Sequence, residues 1–379
     1  MSIFDRRPRL RWAVPAAAGA LIVGGTLAGT VAASADAGLP PKSAQELLVD
    51  LQAPHPTALS GTVVASADLG LPELPMGAAS NAELSSLISG SHTLRVWSDG
   101  PDRTRLAMLG NAAESDIVRN GKDVWMWSSD ANTADHYVLP ARDAAMARPT
   151  PPAGVTLPST PQEAADLALK ELGGTTDVST TGVAKVAGRP VYELVLTPKQ
   201  SDTLIDRVAI AVDAETSVPL RVQVFSTQLQ DPAFEVGFTN VDFATPDASL
   251  FAFTPPPGAT VTEHAAADHV AKPDDPAAQL DGAARPTVVG TGWSQVMVAA
   301  VPTDMGAATP GDGHTGNSDT AANNDQVMAM LQALPTTTGA WGTGRVLNGT
   351  LFSAILTDDG RIAIGAVSPE TVGAALAAQ

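Results

Sequence analysis

Along most of this chain apolar residues recur at every second position, in short runs separated by Gly, Pro, Asn and Asp. That period marks strands with one buried face. The runs include "GTVVASA" near Val63, "HTLRVWS" near Val96, "RTRLAML" near Leu106, "IVRNGKDVWMW" over 117–127, and "DHYVL". They resume further on with "RPVYELVLTP", "DRVAIAVD", "PLRVQVFS" and "FEVGFTNVDF". In "DRVAIAVD", Val208, Ile210 and Val212 share a face; in "PLRVQVFS", Leu220, Val222 and Val224 alternate with Arg221 and Gln223. Strands this close together, joined mostly by turns, predict an antiparallel sheet that curls or closes, rather than parallel βαβ units.

A few stretches switch to the helical period. "SAQELLVDLQ" over 43–52 places Ser43 as N-cap and Leu47, Leu48 and Leu51 on one side. "SNAELSSLISG" over 80–90 predicts a short helix with Leu84, Leu87 and Ile88 on its apolar side. After a Pro-rich stretch from Pro140 to Pro158, "TPQEAADLALKEL" carries a capping box of Thr160 and Glu163 with Pro161 at the first helical position. The Ala/Asp/Pro composition from His264 to Pro286 predicts a linker. Beyond it lie an apolar strand run "TVVGTGWSQVMVAAV", a polar loop from Thr303 to Asn324 and a helix "DQVMAMLQAL". Two apolar strands around the turn "TDDGR" and a closing helix starting at Ser368-Pro369 complete a small unit over 287–379.

The first 35 residues have the pattern of an export signal. Arg6, Arg7, Arg9 and Arg11 precede an uncharged run from Trp12 to Ala35, and Ala33-Ser34-Ala35 has the form of a cleavage site. The run is also long enough to span a bilayer, so an uncleaved N-terminal anchor is the alternative. The chain has no cysteine. Disulfides, thiol chemistry and lipidation at a mature N-terminal cysteine are thereby excluded. Loss of residues 1–35 removes four arginines and one aspartate, leaving 18 basic against 39 acidic residues. So acidic a surface repels nucleic acid.

Three of these stretches together resemble the LolA/LolB-like lipoprotein-carrier superfamily, which includes the RseB-type envelope-stress sensors. "PDRTRLAML" is similar to that family's strand leading out of a proline turn. "IVRNGKDVWMWSSDANTADHY" is similar to its hairpin ending in an aromatic strand. "RVAIAVDAETSVPLRVQVFS", "FEVGFTNVDF" and "FAFTPPPGATV" are similar to its C-terminal meander. The resemblance runs over about 40–263. It implies a mainly β, half-open, strongly curved antiparallel barrel with helices across its mouth. It also implies a concave apolar face that holds acyl chains or lipid-bearing partners. Residues 287–379 extend beyond a minimal carrier. The expected organisation is a signal or anchor over 1–35, a half-barrel over 36–263, a linker over 264–286 and a small C-terminal domain over 287–379.

No catalytic motif accompanies this pattern: there is no nucleophile elbow, P-loop, HExxH or dinucleotide fingerprint. His264 and His269 lie five apart in the expected linker, and "GDGHTGNSD" lacks the spacing and final Glu of an EF-hand loop. No catalytic residue, metal or cofactor is expected. Trp125 and Trp127, two apart in a strand, share a face, with Val124 and Met126 on the other. The tryptophans serve either as core or as cavity wall. The expected ligand site is a concave face lined partly by Trp125 and Trp127 and covered by Leu84, Leu87 and Ile88. The expected function is extracytoplasmic, non-enzymatic carriage of a lipid or acylated lipoprotein. A regulatory sensor that binds a membrane protein partner is the alternative.

Overall fold

The computed structural model describes residues 39–52, 58–71, 90–109, 114–139, 173–264, 286–300 and 334–379. The export signal, the 80–90 helix with Leu84, Leu87 and Ile88, the capping-box helix after Thr160, most of the linker and the 325–333 stretch lie outside them. No described helix is long and apolar enough to cross a membrane.

Helix α1 (Ala44–Gln52) forms where the sequence places it. Its start is a reciprocal capping box. The Ser43 backbone N–H donates to Glu46 Oε2 at 2.7 Å, and the Glu46 N–H donates to Ser43 Oγ at 3.2 Å. The hydrogen bonds from Ser43 hold the Glu46 carboxyl below its ordinary pKa.

Twelve strands build the first sheet. Six form an up-and-down series: β1 (Ala58–Ala67), β2 (Gly90–Asp99), β3 (Arg103–Leu109), β4 (Glu114–Asn120), β5 (Asp123–Ser128) and β6 (Thr133–Val138). Five form a meander: β7 (Thr176–Val186), β8 (Arg189–Pro198), β9 (Ile205–Asp213), β10 (Pro219–Ser226) and β11 (Pro232–Asp242). Last comes β12 (Thr260–His264). The order β12-β6-β5-β4-β3-β2-β1-β11-β10-β9-β8-β7 joins the two series through β1 and β11. Every pairing is antiparallel except β12 on β6. The two edges, β12 and β7, do not pair, so the sheet is curved but not closed, as the fold reading predicts.

The β4–β5 hairpin closes through a two-residue turn. Asn120 faces Asp123 and Arg119 faces Val124, so the turn is Gly121-Lys122, with Gly121 at a φ of 64°. Arg119 therefore faces neither Lys122 nor Asp123. It reaches instead to Asp102 Oδ1 at 2.8 Å and the Gly121 carbonyl at 3.1 Å.

The second sheet comprises β13 (Thr287–Val289), β14 (Val296–Ala300), β15 (Thr336–Gly339), β16 (Gly342–Asn348), β17 (Ser353–Thr357) and β18 (Arg361–Gly365). Its order is β13-β14-β18-β17-β16-β15. Helix α2 (Pro369–Ala377), capped by Ser368, packs Val372 and Leu376 onto Val296, Val298, Ile355 and Ala363.

The two sheets meet at one end of the first. There the β9 end of the barrel and the β18 end of the second sheet share an antiparallel bridge, Thr203 with Val367. The Leu204 N–H and Thr203 Oγ1 both donate to the Ala366 carbonyl at 2.8 Å. Thr350 is gripped from both sides: its hydroxyl donates to Asp68 O at 2.7 Å, and its carbonyl accepts from Ser226 Oγ at 2.6 Å. Trp293, 8% exposed, enters the core of the first sheet, and its indole N–H donates to Thr176 Oγ1 at 2.8 Å. All these first-sheet positions lie at strand ends on the same side. The second sheet thus stoppers one end of the half-barrel.

Candidate functional site

The site follows from which face each strand turns inward. Side chains alternate between faces along a strand, and cross-strand partners share a face. Register then ties Val96 of β2 to Leu106 of β3, Ile117 of β4 and Met126 of β5 in one row. Val222 and Val236 of β10 and β11 also pair directly. Leu59 and Val63 of β1, Val96, Leu106 and Ile117 line one side of a cavity of about 600 Å³; Leu220, Val222, Val236 and Phe238 line the other. On a flat sheet β4 and β10 would stand five strand spacings apart, about 24 Å. Both touch this one cavity, so these residues occupy the concave face. Ser98 and Thr104 add hydroxyls, and no His, Asp or Glu is among the described lining residues.

The same concave face is filled beneath β8 to β11. Leu47 of α1 is fully buried against Tyr192, Leu194, Val208, Ile210, Val212 and Val222, and Trp293 from the second sheet joins that cluster. The cavity occupies what α1 and Trp293 leave empty. It lies toward the end of the strands away from the second sheet, where β1, β3 and β10 begin.

Trp125 and Trp127 do not line this cavity. Trp125 pairs across strands with Val118 and His136, and Trp127 with Asp116 and Ala134, the row opposite to Ile117 and Met126. Trp125 stacks on His136 with ring centroids 4.1 Å apart, and both tryptophans pack against Phe253, at 5.4 and 6.3 Å. Phe253 belongs to the strap that follows the 3-10 turn Ala248–Phe251 and crosses the convex face of β3 and β4. Under the strap Phe251, Val118, Ala107 and Ala134 are buried. Arg105 binds Asp116 there in a fork, Nε to Oδ1 at 3.2 Å and Nη2 to Oδ2 at 2.6 Å. The tryptophan hairpin and the "FAFTPPPG" segment, far apart in sequence, thus form one packed outer layer. Sequence alternation correctly separates Val124 and Met126 from the tryptophans. It carries no mark of which side is concave, and the cavity takes the Met126 side. Leu84, Leu87 and Ile88 lie outside the described residues, so the expected lid has no observed place.

Among the described residues no cluster of three or more His, Asp or Glu side chains could hold a metal. His136 and His264 instead fasten β12. His136 Nδ1 lies 2.7 Å from Glu263 and Nε2 3.0 Å from Asp123, while His264 Nε2 lies 2.8 Å from Asp135. At the β9–β10 turn, Arg189 forks onto Asp213 at 2.6 and 2.8 Å, and Thr216 donates to the same carboxylate. Burial opposes ionisation of Asp213, but the hydrogen bonds from Arg189 and Thr216 outweigh it and hold its carboxyl below the ordinary value. The same pairing raises the Arg189 pKa.

Comparison with known proteins bears on this architecture. Residues 77–263 match the family described as "Predicted periplasmic protein (DUF2092)". No curated protein matches the chain in sequence. Solved structures similar to it include the MucA/MucB complex of Pseudomonas aeruginosa, at 15% identity and a TM-score of 0.42 over 88% of this chain and 96% of that one. A LolA superfamily protein of Nitrosomonas europaea is similar at 11% identity and a TM-score of 0.22, over 56% of this chain and 99% of the other. An uncharacterized conserved protein of Thermus thermophilus is similar at 12% identity and a TM-score of 0.33, over 58% and 99%.

Proposed function

We propose that this chain is a non-enzymatic binding protein outside the cytoplasmic membrane, which holds an acyl chain of a lipid or acylated lipoprotein in the concave cavity. The observation that carries this reading is the cavity itself: about 600 Å³, walled mostly by Val, Leu, Ile and Phe side chains, with Arg105 and Arg221 the charged residues among its described lining. Such a space favours apolar ligands, because each methylene removed from water contributes about 0.8 kcal/mol. The match of residues 77–263 to a family described as periplasmic supports the location.

The test is mass spectrometry of what co-purifies with the native protein, followed by extraction and re-addition of lipid. Recovery of an acylated molecule that rebinds to the stripped protein supports the reading. Recovery of a stoichiometric membrane protein without lipid would instead assign a regulatory, partner-docking role. Protein that carries no acylated molecule and takes up none contradicts the carrier reading.

A further inference from the structure

The cavity's size and the polar row at its rim restrict what it can hold. Water's share of liquid volume is about 30 Å³, and a methylene is of similar size, so about 600 Å³ accommodates roughly twenty such groups. That matches one long acyl chain. The restriction comes from Leu47 and Trp293, which occupy the neighbouring part of the concave face.

The row of side chains one step nearer the open end is polar. Leu59 pairs with Ser98, Ser98 with Thr104, and Thr104 with Arg119. Arg119 therefore points to the cavity side, two residues along β4 from the lining Ile117. Its guanidinium uses Nε on the Gly121 carbonyl and Nη2 on Asp102, which leaves the Nη1 amino group without a partner among the described residues. Asp102 is 62% exposed and Arg119 19%, so the pair sits at the surface, where such pairs contribute little. Arg119 stands just beyond the lining, and the two arginines that do line the cavity differ from it. Arg105 is forked onto Asp116 and Arg221 reaches Glu193 at 3.2 Å, and both carboxylates stand on the convex face.

From this juxtaposition of an apolar row, a hydroxyl row and an inward-facing arginine, we propose that the ligand is a single-chain amphiphile with an anionic head. The tail lies along Val96, Leu106 and Ile117, pointing toward the second sheet. The carboxylate or phosphate head is held at the rim by Arg119, with the Ser98 and Thr104 hydroxyls beside it. The proposal rests on the acyl-chain reading above and specifies its ligand class.

The experiment measures binding to the stripped full chain of four probes: hexadecanoate, monohexadecyl phosphate, methyl hexadecanoate and dipalmitoyl phosphatidate. One or both anionic single-chain probes should bind about tenfold more tightly than the neutral ester, the weight of one charge-assisted hydrogen bond. Which of the two binds identifies the head as carboxylate or phosphate. Arg119→Gln should erase the preference by weakening the anionic probes far more than the ester, and Arg119→Lys should retain most of it. Equal binding of acid and ester by the native protein, or a preference that survives Arg119→Gln, overturns the head assignment while the acyl-chain reading stands. Phosphatidate binding as tight as that of the single-chain probes overturns the one-chain limit. Failure of all four probes to bind sinks the acyl-chain reading itself.

Discussion

The two halves of the first sheet use the same alternating pattern to opposite ends. Under β8 to β11 the concave face is closed: Leu47 and Trp293 meet a layer of Leu, Ile and Val, and the convex face carries a polar ladder beside a buried apolar cluster of Val195, Ala209 and Phe225. In that ladder Arg221 pairs with Glu193, and Gln223 donates to Glu235 at 2.9 Å. Over β3 and β4 the convex face buries Ala107 and Val118 around the Arg105–Asp116 pair. The convex side is covered by the Phe251–Phe253 strap, and the concave side borders a cavity. A half-barrel becomes a container where its inner face is left without a filling side chain. Here that is decided by how far α1 and Trp293 reach.

This contrast is open to direct perturbation. The largest effect is expected at Trp293, whose loss removes both the indole from the barrel core and the hydrogen bond to Thr176. Trp293→Ala should cost about 4 kcal/mol in denaturant unfolding and expose the junction between the sheets to protease. A change under 1 kcal/mol, by the same scale, would mean the second sheet does not depend on that anchor. Leu47→Ala should cost about 3 kcal/mol, since Leu47 is fully buried in the filled half. The matched change in the other half, Leu106→Ala, should cost less than Leu47→Ala, because Leu106 is only half-buried beside an open cavity.

The Arg189–Asp213 fork gives an acid-dependent effect of intermediate size. The Asp213 carboxyl titrates below its ordinary value in the folded state. Its contribution is therefore complete above the unfolded-state value of about 3.9 and is lost as pH falls through the lower folded value. Asp213→Asn should lower stability at neutral pH and flatten this acid limb. An unchanged limb in chemical denaturation between pH 5 and 2 (the window about these values) would assign the acid sensitivity elsewhere.

The smallest effect concerns the tryptophans. Because Trp125 and Trp127 lie against Phe253 on the convex face, a ligand in the cavity should leave their emission nearly unchanged, whereas Phe253→Ala should shift it to the red. A ligand-induced shift that disappears in a Trp125→Phe, Trp127→Phe variant would contradict the facing derived from register.

Much of this was legible in the sequence, and the failures have physical causes. Period-2 alternation revealed the strands, and turn residues separated them, because each strand has only two faces to satisfy. Ser43 and Glu46 marked the start of α1 through hydrogen bonds local to that turn. Curvature is different: it depends on the relative placement of twelve strands. The same alternation that set Trp125 and Trp127 apart from Met126 could not say which side is inside. Large aromatic residues suggested a cavity wall. Phe251 and Phe253, more than a hundred residues later, supplied the partners that make them outer core. Arg119 was legible only as a turn charge until the register, with its Gly121-Lys122 turn, faced it to the cavity side.

The most direct test of the central claim fills the cavity. Leu106→Trp should place an indole in the space bounded by Val96 and Ile117 without disturbing the filled half. Titration of stripped protein with hexadecanoate by calorimetry should give saturable one-to-one binding for the native chain. It should give none for the variant, whose melting temperature stays within a few degrees of native. Equal binding by the two proteins, or no binding by the native one, would contradict the account.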